Sequence, residues 1–140
     1  MSKGKEANFW STIRRNLPEK TFATRIENVQ GGGVPDVHVV WDGLPFWMEL
    51  KVTDSNAVKV SPHQVAWNMA YWARGGSNFF LVKRAKERDL LLFEGDQGAV
   101  LSRGGISAAS FHRFDDLASL FCALRPMLVR RGSAPLRPAS

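Results

Sequence analysis

The chain has 140 residues, enough for one domain with its own hydrophobic core and without a need for disulfide or metal staples. Its 44% hydrophobic and 23% charged residues, with nine Phe and five Trp, exclude a disordered chain. The balance of nineteen Lys and Arg over thirteen Asp and Glu favours polyanionic partners, while the start MSKGKEANFW and the lack of any apolar run of about eighteen residues argue against export or membrane spanning.

Phe9, Ile13 and Leu17 at helical spacing predict an amphipathic helix from about Lys5 to Leu17, ended by Pro18. Thr21 to Asn28 predicts a strand, and Gln30-Gly31-Gly32-Gly33 a flexible connection. Val37 to Trp41 and Phe46 to Val52 alternate as strands around Asp42-Gly43, a dipeptide suited to a tight antiparallel turn. After a polar loop, Ser61 is an N-cap and Pro62 an N1 residue for a helix to about Arg74, stopped by Gly75-Gly76. Val65, Trp67, Met69 and Trp72 are expected to form its core-facing stripe. Asn78 to Lys83 reads as a buried strand, and Asp89 to Glu94 and Ala99 to Leu101 as later strands. Asp115 and Asp116 open a last helix to about Val129; Cys122, among apolar neighbours, is expected as a buried thiol in a reducing cytoplasm. A single domain over 1–130 is then followed by a basic, disordered tail over 131–140.

Side chains along a strand alternate between faces, so Phe46, Met48, Leu50 and Val52 share one face while Trp47, Glu49, Lys51 and Thr53 share the other. On the partner strand Val37, Val39 and Trp41 face the core, which puts Asp36 and His38 on the face of Glu49 and lets the hairpin bring Asp36 to it. Two carboxylates supply the protein ligands Mg²⁺ usually takes, with Mn²⁺ as a substitute. A charged Lys51 has no lone pair for a metal, but it can orient water or stabilise a developing phosphate charge. The set is suited to metal-assisted phosphodiester hydrolysis.

Gly33-x-Pro35-Asp36 before one strand, Glu49-x-Lys51 on the next, and Ser61-x-x-Gln64 with Trp67 on the following helix together resemble the PD-(D/E)xK nuclease superfamily, closest to its VRR-NUC and Holliday-junction-resolvase-like phage branches. The resemblance covers about residues 5–85. It implies an α/β, restriction-endonuclease-like core with a mixed central sheet flanked by helices. It also implies a Mg²⁺-dependent DNA endonuclease, structure-selective for branched DNA such as a Holliday junction or flap, with a homodimer where two symmetric strands are cut. The implied catalytic residues are Asp36, Glu49, Lys51, Gln64 and the helix-borne Glu6, with the metal at Asp36, Glu49 and Leu50. The implied setting is the cytoplasm of a bacterial or phage-infected cell. A site-specific, homing- or restriction-like endonuclease, an inactive nucleic-acid-binding module of the same fold, and an RNA-processing enzyme remain alternatives.

Glu19 and Glu27 compete with Glu6 for the place of the third acid. Gln64 serves two readings, because Ser61-Pro62-His63-Gln64 is also a capping box. His38 borders the expected site, and His38 and His63 have no spacing suited to a zinc centre. Lys59, Arg74, Lys83, Arg84, Lys86, Arg88, Arg130, Arg131 and Arg137 are candidates for a nucleic-acid track.

Overall fold

A computed structural model describes residues 2–26 and 32–132. Six strands form one sheet in sequential order: β1 (Thr21–Arg25), β2 (Val37–Trp41), β3 (Leu44–Thr53), β4 (Asn78–Arg84), β5 (Asp89–Glu94) and β6 (His112–Phe114). All neighbours are antiparallel except β3 and β4, which run parallel because the helix α2 (Pro62–Ala73) crosses between them. The other α-helices among the described residues are α1 (Ser2–Arg15), α3 (Gly98–Gly104) and α4 (Leu117–Gly132), with short 3-10 turns at Gly95–Gln97 and Ile106–Ala108. No helix among the described residues is long and apolar enough to cross a membrane.

Alternation in the strands builds two cores, one on each face of the sheet. Val37, Val39, Phe46, Met48, Leu50, Phe79 and Leu81 meet Phe9 and Ile13 of α1 and the stripe Leu117, Leu120, Phe121, Leu124 and Leu128 of α4. On the other face Phe80, Val82, Leu91 and Phe93 pack with Val58, Val60, Leu101 and Ile106. Glu49 pairs across to Phe80 and Lys51 to Val82, so both belong to this second face. The Asp42-Gly43 turn has both residues at positive φ, 44° and 86°, the two-residue turn whose twist matches a hairpin.

Several expectations are corrected. Residues 99–101 are helical, within α3, because Leu101 alone of the apolar residues there is buried while Val100 is 41% exposed; a three-residue run cannot separate the two periods. The first strand ends at Arg25, and 27–31 lie outside the described residues. Cys122 is exposed, since it falls opposite the buried α4 stripe. In α2 the fully buried residue is Asn68, and Met69 is 40% exposed, so the expected apolar stripe is broken by a polar core residue. The last helix runs to Gly132, and residues 133–140 lie outside the described residues.

Candidate active site

The pairing of β2 with β3 stops at Val37 and Met48, yet β3 continues beside β4 to Thr53. Beyond Met48 one edge of β3 is therefore free, and the Asp36 carboxylate takes the place of a neighbouring strand: its Oδ2 accepts from the Leu50 N–H at 2.9 Å. Glu49 then lies beside Asp36. The Glu49 residue is 2% exposed, and its Oε1 has no hydrogen-bond partner. The other oxygen, Oε2, accepts from Gln64 Nε2 at 3.0 Å and lies 3.9 Å from Lys51 Nζ. Burial, then the charge of Asp36, pushes the Glu49 carboxyl well above the usual range, with Lys51 opposing. Two carboxylates this close are both ionised only where a cation offsets them.

Gln64 completes the helix cap and also reaches the Glu49-Lys51 pair. Its Oε1 accepts from the Ser61 N–H at 3.0 Å, and Ser61 Oγ accepts from the Gln64 N–H at 3.1 Å, which completes the capping box. The same Oε1 accepts from Lys51 Nζ at 3.0 Å while Nε2 reaches Glu49. One amide thus orients both side chains of the Glu49-Lys51 pair. Below it, Asn68 Nδ2 donates to the Gln64 carbonyl at 2.8 Å, and Asn78 Nδ2 donates to Asn68 Oδ1 at 2.9 Å; both asparagines are fully buried. Nothing in the spacing of these asparagines marked them as supports for the site.

Gly33 explains the approach of Asp36. At φ +84° it already favours glycine, and a Cβ there would fall inside the main-chain carbonyl of His63. The loop before Asp36 therefore lies directly on the N-terminal turn of α2, which carries Gln64.

Glu6 reaches the same place from α1. Burial raises its carboxyl above the usual range, offset first by Lys51, and it also senses Asp36 and Arg25. It lines a cavity of about 610 Å³ with Lys51, Thr53, Lys59, Ser61 and Gln64. Glu19 is exposed in the turn before β1, and Glu27 lies outside the described residues. His38 sits beside Trp47 with its imidazole pKa lowered by burial, and His63 is exposed. Leu50 is buried and aliphatic, so only its main chain can serve the site.

Several cations of the expected track have other work. Arg84 grips the buried Asp89 with two hydrogen bonds of 2.8 and 2.6 Å. Arg131 lies 3.5 Å over the Trp72 ring and donates to the carbonyls of Trp72 and Gly76. Lys83 lies over the Phe9 ring. Lys59 lines the cavity beside Lys51, Arg74, Lys86, Arg88 and Arg130 are exposed, and Arg137 lies outside the described residues.

Among the described residues no three or more His, Cys, Asp and Glu side chains form a ready-made metal cage. The donors present still fit a hard divalent ion that keeps most of its waters: two adjoining carboxylates, one with an unpartnered buried oxygen, need a cation or a proton between them. The fold itself has a counterpart of known activity. Hjc, a Holliday junction resolvase from the archaeal hyperthermophile Archaeoglobus fulgidus, superposes with a TM-score of 0.50 over 88% of this chain and 96% of that chain, at 14% identity. The expected restriction-endonuclease-like α/β fold is the fold observed. Neither a family model nor a curated protein matches the chain.

Proposed function

We propose that the chain is a Mg²⁺-dependent endonuclease of the PD-(D/E)xK type, hydrolysing phosphodiester bonds in DNA with a preference for branched structures. The observation that carries the reading is the Asp36-Glu49 carboxylate pair, with Lys51 and Gln64 hydrogen-bonded beside it. Likeness of fold to a Holliday junction resolvase supports it. Asp36, Glu49 and the Leu50 main chain would hold the metal, which when bound supplies Lewis-acid polarisation of the phosphate and a water acidic enough to attack.

The chain's own residues do the rest. Gln64 holds the Lys51 ammonium at 3.0 Å, aimed into the cavity where a phosphate would enter, so that it stabilises the charge developing on the phosphoryl oxygens. Glu6, at the cavity rim, accepts a hydrogen bond from water on the open side of the site. Lys59, on the wall of the same cavity, holds the strand by its backbone charge. Cutting two symmetric strands of a junction requires two such centres, hence a homodimer on that substrate, working in the cytoplasm of a bacterial or phage-infected cell.

The test is cleavage of labelled four-way junction, flap, single-stranded and linear duplex DNA with Mg²⁺ or Mn²⁺. Asp36→Asn and Glu49→Gln are expected to abolish product while leaving DNA binding in place. Full activity in either variant removes the proposal, and absence of cleavage by the unaltered protein on every substrate leaves the inactive binding module.

A further inference from the structure

The second sheet face is covered unevenly. Loop 54–61, α3 and part of α2 pack on its β4-β5 half. Over β1-β3 the cross-strand register sets Phe22, Val40 and Pro45 in one row and Thr24, His38 and Trp47 in the next; Asp36 and Glu49 follow just past the last paired residues, Val37 and Met48. Phe22 is 71% exposed. From His38 a line of half-buried rings crosses to α2. His38 and Trp47 have centroids 4.5 Å apart, Trp47 and Trp67 meet edge to face at 5.6 Å, and Trp67 and Tyr71 stack at 4.9 Å. Among the described residues none of the four belongs to either hydrophobic core.

We propose that the line His38-Trp47-Trp67-Tyr71 is a stacking platform for unpaired nucleobases, so that the preferred substrate has a single-stranded or unstacked segment beside the scissile phosphate. The proposal rests on the nuclease reading and adds the substrate feature that the site selects. Trp47 stands two residues from Glu49 on the same strand face, about 7 Å along the chain. A strand with its phosphate at the carboxylates therefore lays an adjoining base over this row. A protein partner seated on Trp47 would stand over the carboxylates and block that approach. Every base offers a π-face, and rings already held by one another lose little freedom on binding. The chain's net charge of +6 suits the polyanionic backbone that accompanies the bases.

The experiment is binding by the unaltered protein in chelator, which prevents cleavage, to three probes: oligodeoxythymidine, an abasic strand of equal length, and a blunt duplex. Oligodeoxythymidine is expected to bind about tenfold or more tighter than the abasic strand and to quench tryptophan fluorescence. Trp47→Leu and Trp67→Leu should each remove roughly tenfold of the affinity for the base-bearing strand, with abasic binding and salt dependence unchanged. Equal affinity for strands with and without bases overturns the platform alone, and needs no variant to fold. Equal loss on both strands assigns the rings to general packing. If sedimentation shows that Trp67→Leu dissociates a dimer while strand binding persists, the face serves self-association instead and the proposal falls. No affinity for any probe overturns the platform, while the nuclease reading stands or falls on the cleavage panel with Mg²⁺ or Mn²⁺.

Discussion

Gln64 and Lys51 are separable from each other by substitution. Gln64→Glu keeps an oxygen for the Ser61 N–H, so the capping box survives, but it sets a carboxylate against Glu49 where an amide N–H had been. In the metal-free protein the added carboxylate should lower thermal stability toward neutral pH, where a third acid joins Asp36 and Glu49, and cleavage should fall at least tenfold. Gln64→Ala loses both tasks, at about 1 kcal/mol of stability together with the rate. Unchanged turnover in both variants would leave Gln64 a helix cap only. Lys51→Ala is expected to lower the single-turnover rate at saturating protein by roughly 10² or more with affinity nearly constant. A normal saturated rate with weaker, less salt-dependent binding would make Lys51 a phosphate anchor.

Elements come together at Gly33 and at the segment after β5. Gly33→Ala combines a positive φ with a collision against the α2 backbone, whereas Gly43, at φ +86°, has open space around its missing Cβ. Gly43→Ala should therefore cost about 1 kcal/mol of turn strain and leave cleavage intact. Gly33→Ala should cost about 2 kcal/mol or more and remove activity by moving Asp36 away from Glu49, read by chemical denaturation and cleavage side by side. The segment after β5 lies outside the family resemblance and fastens the loop that walls the site. Asn56 is fastened by the Ser107 N–H at 2.8 Å and by donation to the Gly104 carbonyl at 3.1 Å, and Ser102 Oγ donates to the Val60 carbonyl. These bonds hold loop 54–61 as the wall of the cavity beside Lys51.

Among the described residues two buried carboxyls titrate in opposite directions. Hydrogen bonding by Arg84, then by Arg113, holds Asp89 below the usual carboxylate range. Its contribution is complete above the unfolded value, about 3.9, and is lost as pH falls through the lower folded value. Glu49 is raised, so in the metal-free protein its contribution is complete below about 4.3 and is lost as pH rises toward its folded value. The Glu49 contribution alone should therefore fall away in the metal-free protein from about pH 5 toward neutrality. Glu49→Gln should flatten the neutral limb and raise the melting temperature by a few degrees at pH 8, with little change at pH 5. A pH dependence of the melting temperature that is the same in Glu49→Gln as in the unaltered metal-free protein contradicts this.

Sequence alone determined the hairpin, the capped helix and the face that Glu49 and Lys51 share, because period-two alternation, Asp42-Gly43 and Ser61-Pro62 act over a few residues. It also brought Asp36 to Glu49, since a tight turn fixes the register of the strands it joins. Only the tertiary structure brings Glu6 within electrostatic reach of Lys51 and Asp36 and leaves Glu19 exposed, because α1 meets β3 across a long stretch of chain; Glu27 lies outside the described residues. The same holds for Asn68 and Asn78, polar residues in a buried place whose value lies in a hydrogen bond between elements. It holds also for the basic residues, whose charge is visible in the sequence while the partners of Arg84 and Arg131 depend on distant chain segments. Local physics is written in neighbouring residues, and burial and long-range pairing arise only once the sheet has formed with helices on its faces.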